Sequence, residues 1–99
     1  MLDITQDNFE SEIAQGKVLV DFWAPWCSPC MQQLDILQNI KKPAYKICMV
    51  NVDDADNKVL ARQHMVMGIP ALLAFEDGKL LNRKSGVSNE ADITAMFYQ

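Results

Sequence analysis

Val18-Leu19-Val20-Asp21-Phe22-Trp23 is apolar at odd and even positions alike, broken only by one aspartate. A strand with one wet face alternates apolar and polar residues. A strand that does not alternate must be covered on both faces. Two further runs, Lys46 to Val52 and Ala71 to Phe75, read the same way. Between the first two, Leu34, Leu37 and Ile40 recur at helical spacing, with Pro29 suited to a first turn. Lys41-Lys42 would complement the end of that helix and Pro43 would stop it. Asp53 to Met65 reads as a polar start and a short helix carrying Val59 and Leu60.

A buried strand joined through a helix to another implies a parallel pair with a right-handed crossover. Asp77-Gly78 marks a hairpin turn, with Leu80-Leu81 on the return strand. A short helix around Phe9 and Ile13, stopped near Gly16, precedes the first strand, and a helix over Ser88 to Phe97 closes the chain. The expected order is helix, strand, helix, strand, helix, strand, strand, helix. That order predicts a single α/β domain over residues 1–99, a central mixed sheet flanked by helices on both faces.

Charge narrows the partners. Nine basic and 13 acidic residues leave a net charge of −4, and no basic cluster exceeds two residues. Nucleic acid and anionic membrane are therefore not expected partners. No apolar run is long enough to span a bilayer, and Met1 to Asp7 lacks the pattern of a secretory leader, so the expectation is a cytoplasmic protein.

Cys27 and Cys30 stand in the segment Trp26-Cys27-Ser28-Pro29-Cys30, a pattern open to a staple, a metal site or a catalytic dithiol. Ninety-nine residues, 49% of them apolar, build a core without a staple. Cys48 and His64 come singly, so the paired ligand spacing of a zinc site is absent and no metal is expected. Position favours chemistry, because Cys27 follows the first strand's carboxyl end and opens a helix, where sites in such sheets lie. Free amide hydrogens and the positive end of the helix dipole favour a thiolate there. Cys30 lies one turn on, on the same face. Asp21 is a carboxylate inside an apolar strand, where burial raises its pKa and lets it exchange a proton with Cys30, through a water. Ile69-Pro70 precedes the third strand, a natural setting for a cis peptide and for pairing with an extended chain.

These residues resemble thioredoxins. "VLVDFWAPWCSPC" (18–30), "NVDDADN" (51–57), "MGIPALLAFEDGK" (67–79) and Gly86 follow that family's pattern in order, over about the whole chain. The resemblance implies the thioredoxin fold and a thiol–disulfide oxidoreductase that reduces protein disulfides. Cys27 would attack, Cys30 would resolve, and Asp21 would be the buried proton acceptor. Trp26, Ser28, Pro29, Met67, Gly68, Ile69, Pro70 and Gly86 would form the substrate surface. It also implies no cofactor beyond a reversible Cys27–Cys30 disulfide, recycling by a thioredoxin reductase, and a monomer.

Three departures stand out. Ser28 replaces the usual glycine and brings a hydroxyl able to hydrogen-bond a sulfur. Met49 replaces the lysine that usually neighbours the buried aspartate, which predicts an Asp21 more readily protonated than is typical. Asp35 replaces the proline that kinks the active-site helix. The rival readings are a disulfide oxidase or isomerase, whose motifs commonly carry a histidine between the cysteines, and a redox-inert docking module.

Overall fold

The strand expected at Val18 to Trp23 forms at Lys17–Trp23 and occupies the middle of a five-stranded sheet. The structure, a computed structural model, describes residues 1–98. Along the chain run β1 (Leu2–Asp3), α1 (Phe9–Ile13), β2 (Lys17–Trp23), α2 (Ser28–Gln38), β3 (Lys46–Asn51), α3 (Ala55–Gln63), β4 (Ala71–Glu76), β5 (Lys79–Ser85) and α4 (Glu90–Ala95). The sheet order is β1-β3-β2-β4-β5, with β3 parallel to β2 and to β1, and with β4 and β5 antiparallel to their neighbours.

Successive side chains of a strand point to opposite faces, and β2 shows why it needs no polar ones. Val18, Val20 and Phe22 join one core, which α1 and α3 cover with Phe9, Ile13 and Leu60. Leu19 joins a second core on the other face, covered by Leu37 of α2 and Ile93 of α4. Val18 to Phe22 are all fully buried. Each such Val, Leu or Phe side chain contributes about 1.5–3 kcal/mol relative to exposure. Asp21 shares the Leu19 face, between Met49 on β3 and Leu72 on β4 in the strand register.

The expected hairpin forms, with Asp77 (φ 51°) and Gly78 (φ 83°) both left-handed, as a two-residue turn between twisted strands requires. Asp77 is tied to the turn before β2. Its carboxylate accepts from the Gly16 amide at 2.8 Å, and its own amide donates to Gly16 O at 3.0 Å.

The structure corrects three readings. β1 was not expected, since two residues carry no periodicity; its pairing with β3 continues in the Ile4 amide, which donates to Met49 O at 2.9 Å. Lys41 and Lys42 lie beyond α2, which ends at Gln38 with no basic residue in its last turn. Asn39 terminates it instead, its side-chain amide donating to Asp35 O at 2.7 Å. The closing helix spans Glu90–Ala95 and not Ser88 to Phe97. Asn89 caps it by accepting from the Asp92 amide at 2.9 Å. No helix among the described residues is long and apolar enough to cross a membrane.

Candidate functional site

β2 delivers the chain through the Ala24-Pro25 turn into α2, and Cys27 becomes the residue that caps this helix. Its backbone is extended (φ −98°, ψ 107°), which turns the side chain back over the first turn. There Sγ accepts the Cys30 backbone N–H at 3.3 Å. Pro29 lacks an amide hydrogen and fits the first turn, where one donor fewer is left unpaired. A sulfur that accepts a backbone N–H at a helix N-terminus is stabilised as a thiolate by that bond and by the dipole behind it. The two sulfurs are within bonding distance as a disulfide, with the Cα atoms 5.2 Å apart. Cys27 keeps 7% of its surface exposed while Cys30 keeps none, so an incoming disulfide can meet only the first.

Opposite Cys27 runs the Met67–Pro70 segment, with Ile69-Pro70 in the cis form. Ile69 O lies 3.8 Å from the Cys27 sulfur. Pro70 O accepts the Gly86 amide at 2.9 Å, which brings the loop after β5 to the same rim. Gly86 sits at φ +82° with open space where a Cβ would be, so backbone conformation and not crowding asks for glycine. Trp26 is 68% and Met67 98% exposed. Together with Val52, Val66, Gly68 and Ile69 they line a cavity of about 260 Å³ beside the disulfide, which Lys58 and Arg62 of α3 also border.

Cys27, Trp26, Met67, Gly68, Ile69, Pro70 and Gly86 are thus assembled from three segments far apart in sequence. Ser28 and Pro29 are exposed next to Cys27. The hydrogen bond to the Cys27 sulfur comes from the Cys30 amide, not from the Ser28 hydroxyl.

Two residues outside the expected set also shape the site. Asp53 accepts the Trp26 indole N–H at 3.0 Å and so orients the exposed ring. Gln33, fully buried in α2, bonds the loop that follows Gly86. The Asp53 contact spans 27 residues, and nothing local in the sequence announces it.

Asp21 is fully buried, and neither carboxylate oxygen has a hydrogen-bond partner. Desolvation raises its pKa from 3.8 to about 7. The register sets it level with Met49 and Leu72, so neither neighbouring strand supplies a cation there. A Met49→Lys variant is expected to lower the Asp21 midpoint by roughly one to three pH units. NMR titration of the Asp21 carboxyl carbon measures this, and a parent midpoint near the ordinary 3.8 would contradict the account.

His64 packs against Phe9 with ring centroids 4.7 Å apart, and Cys48 is buried within β3. Among the described residues, no three His, Cys, Asp or Glu side chains are grouped to hold a metal ion.

Comparison with known proteins agrees with this geometry. The family model described as Thioredoxin matches residues 1–99. A thioredoxin of Chlamydia pneumoniae is 39% identical over 93 residues, covering 92% of this chain and 89% of that protein. One from Bacillus subtilis is 36% identical, covering 83% and 80%. A solved thioredoxin variant from Halobacterium salinarum superposes with a TM-score of 0.85 at 26% identity, covering 96% of this chain and 85% of that one. The chain therefore belongs to the thioredoxin family and is a thiol–disulfide oxidoreductase that works through its own cysteine pair without a separate cofactor.

Proposed function

We propose that residues 1–99 act as one cytoplasmic, monomeric domain that reduces disulfides in proteins, with Cys27 as nucleophile and Cys30 as resolving thiol. The Cys27 thiolate attacks one substrate sulfur; the Cys27–substrate bond forms as the substrate disulfide breaks, and the first substrate sulfur leaves as a thiolate that takes a proton from solvent. Cys30, deprotonated by Asp21 through a water, then attacks Cys27, releasing the second substrate thiol. The net exchange is two electrons: the substrate disulfide is reduced and the Cys27–Cys30 pair is oxidised. A thioredoxin reductase restores the dithiol. Trp26, Ser28, Pro29, Met67, Gly68, Ile69, Pro70 and Gly86 dock the substrate, and neither nucleic acid nor membrane is a partner.

The observation that carries this reading is the hydrogen bond from the Cys30 amide to the Cys27 sulfur at the start of α2. It favours thiolate at the cysteine that keeps some accessible surface and leaves the fully buried one as the resolver. The reduction potential of the pair tests it, measured by equilibration with glutathione. The expected value is about −270 mV, the potential of thioredoxin itself. A value between about −120 and −180 mV would instead assign an oxidase or isomerase.

A further inference from the structure

Gln33 is a polar residue in a stripe of α2 that otherwise faces the core. It follows Cys30 by three residues and precedes Leu37 by four, and all three are buried. An amide placed there must use its donor and its acceptor, and Gln33 spends both on a single residue of another segment. Its Nε2 donates to Ser88 O at 3.0 Å, and its Oε1 accepts the Ser88 amide at 2.7 Å. This two-point contact reproduces the way one strand holds another, across 55 residues of sequence. The Ser88 side chain takes no part in it.

Ser88 is two residues from Gly86, whose own amide is held by Pro70 O. The Gly86-Val87-Ser88 loop is therefore fastened at both ends, to the cis-proline segment on one side and to the active-site helix on the other. Val87 between them is 41% exposed, an apolar side chain presented from a fixed backbone. The contacts close a ring: Cys27 sulfur to Ile69 O, Pro70 O to Gly86, Ser88 to Gln33, and Gln33 back along α2 to Cys30 and Cys27.

We propose that Gln33 is a positioning residue for protein substrates: its carboxamide, clamped on both backbone groups of Ser88, holds the Gly86–Ser88 loop against the helix that carries the cysteines, so that Val87 meets the substrate chain beside Cys27. Gln33 touches neither sulfur nor substrate. Its effect falls on docking of a polypeptide and not on the exchange of electrons. The inference rests on the protein-disulfide reductase reading given above.

The test compares a protein disulfide (insulin) with a small aromatic disulfide (DTNB), which reaches Cys27 without needing the loop. In Gln33→Met the length is kept and both hydrogen bonds are lost. KM for insulin is expected to rise on the order of three- to tenfold, with kcat and the DTNB rate within about twofold of the parent. Val87→Ser, a surface change that leaves the fold intact, is expected to raise KM for insulin to a similar extent. The double variant is expected to show less than the product of the two effects, since both act through one loop.

An unchanged KM for insulin in Gln33→Met, or a parallel loss toward DTNB, overturns the positioning role. Full multiplicativity in the double variant does the same. Should Gln33→Met fail to fold, Gln33→Glu, which keeps the acceptor for the Ser88 amide, and Val87→Ser carry the test. A parental KM in both overturns it. A parent protein inactive toward insulin but active toward DTNB would sink the reductase reading instead, so the two failures are distinguishable.

Discussion

Cys27→Ser is expected to lower the rate of protein-disulfide reduction on the order of a thousandfold or more, whereas Cys48→Ser is expected to leave it unchanged. The reason is the state of the attacking atom. Disulfide exchange needs a thiolate, and a serine hydroxyl in the same place supplies almost no oxyanion at neutral pH. The Cys30 amide and the start of α2 stabilise an anion at this position only if the side chain can become one. Cys30 cannot take over, because it is fully buried beneath the first turn. Cys48 cannot either, since it lies buried in β3, where desolvation pushes its thiol above the ordinary value. Insulin reduction with dithiothreitol as electron source measures both variants against the parent. A Cys27→Ser variant with parental activity would refute the assignment.

The second large effect belongs to Asp21. Asp21→Asn is expected to raise the melting temperature at pH 8 on the order of 10 °C while slowing turnover. Burial raises the carboxyl from 3.8 to about 7, so the folded state prefers the neutral acid. Between those values the native protein binds more protons than the unfolded chain, and stability falls as pH rises. Below 3.8 the penalty is absent. Above about 7 it is complete, at roughly 4 kcal/mol. Asparagine never ionises, so the variant lacks this decline and the two curves converge near pH 4. Thermal melts from pH 4 to 8 give the difference curve directly, and a difference that stays flat across the range would contradict the burial argument. The expected cost is chemical: if Asp21 accepts the Cys30 proton as proposed, the variant's mixed disulfide persists longer.

The sequence carried most of the architecture because burial on both faces leaves a plain mark. The apolar runs at β2, β3 and β4, the helical spacing before β3 and the Asp77-Gly78 turn each reflect one local physical requirement. Asp21 was legible for the same reason, as the one residue violating such a run. What escaped was set by distant contacts or by very short elements. β1 has two residues, too few for any period, and it exists because β3 offers a free edge. The end of α2 differs from the sequence expectation because Asn39 closes the helix two residues before the first candidate cation, Lys41. Asp53 and Gln33 act on partners 27 and 55 residues away, Trp26 and Ser88. In sequence, Gln33 looks like any polar helical residue, and only its complete burial makes it a clamp. The motif at residues 26 to 30 thus located the chemistry, whereas the groove around it emerges from the tertiary fold.

The proposed chemistry divides the labour between two cysteines, with Cys27 attacking and Cys30 resolving. Trapping tests it most directly. Cys30→Ser, incubated with a peptide disulfide and digested without reductant, should yield a stable mixed disulfide that mass spectrometry places on Cys27. Recovery of the adduct on Cys48, or of no adduct while Cys27 remains a free thiol, would contradict it.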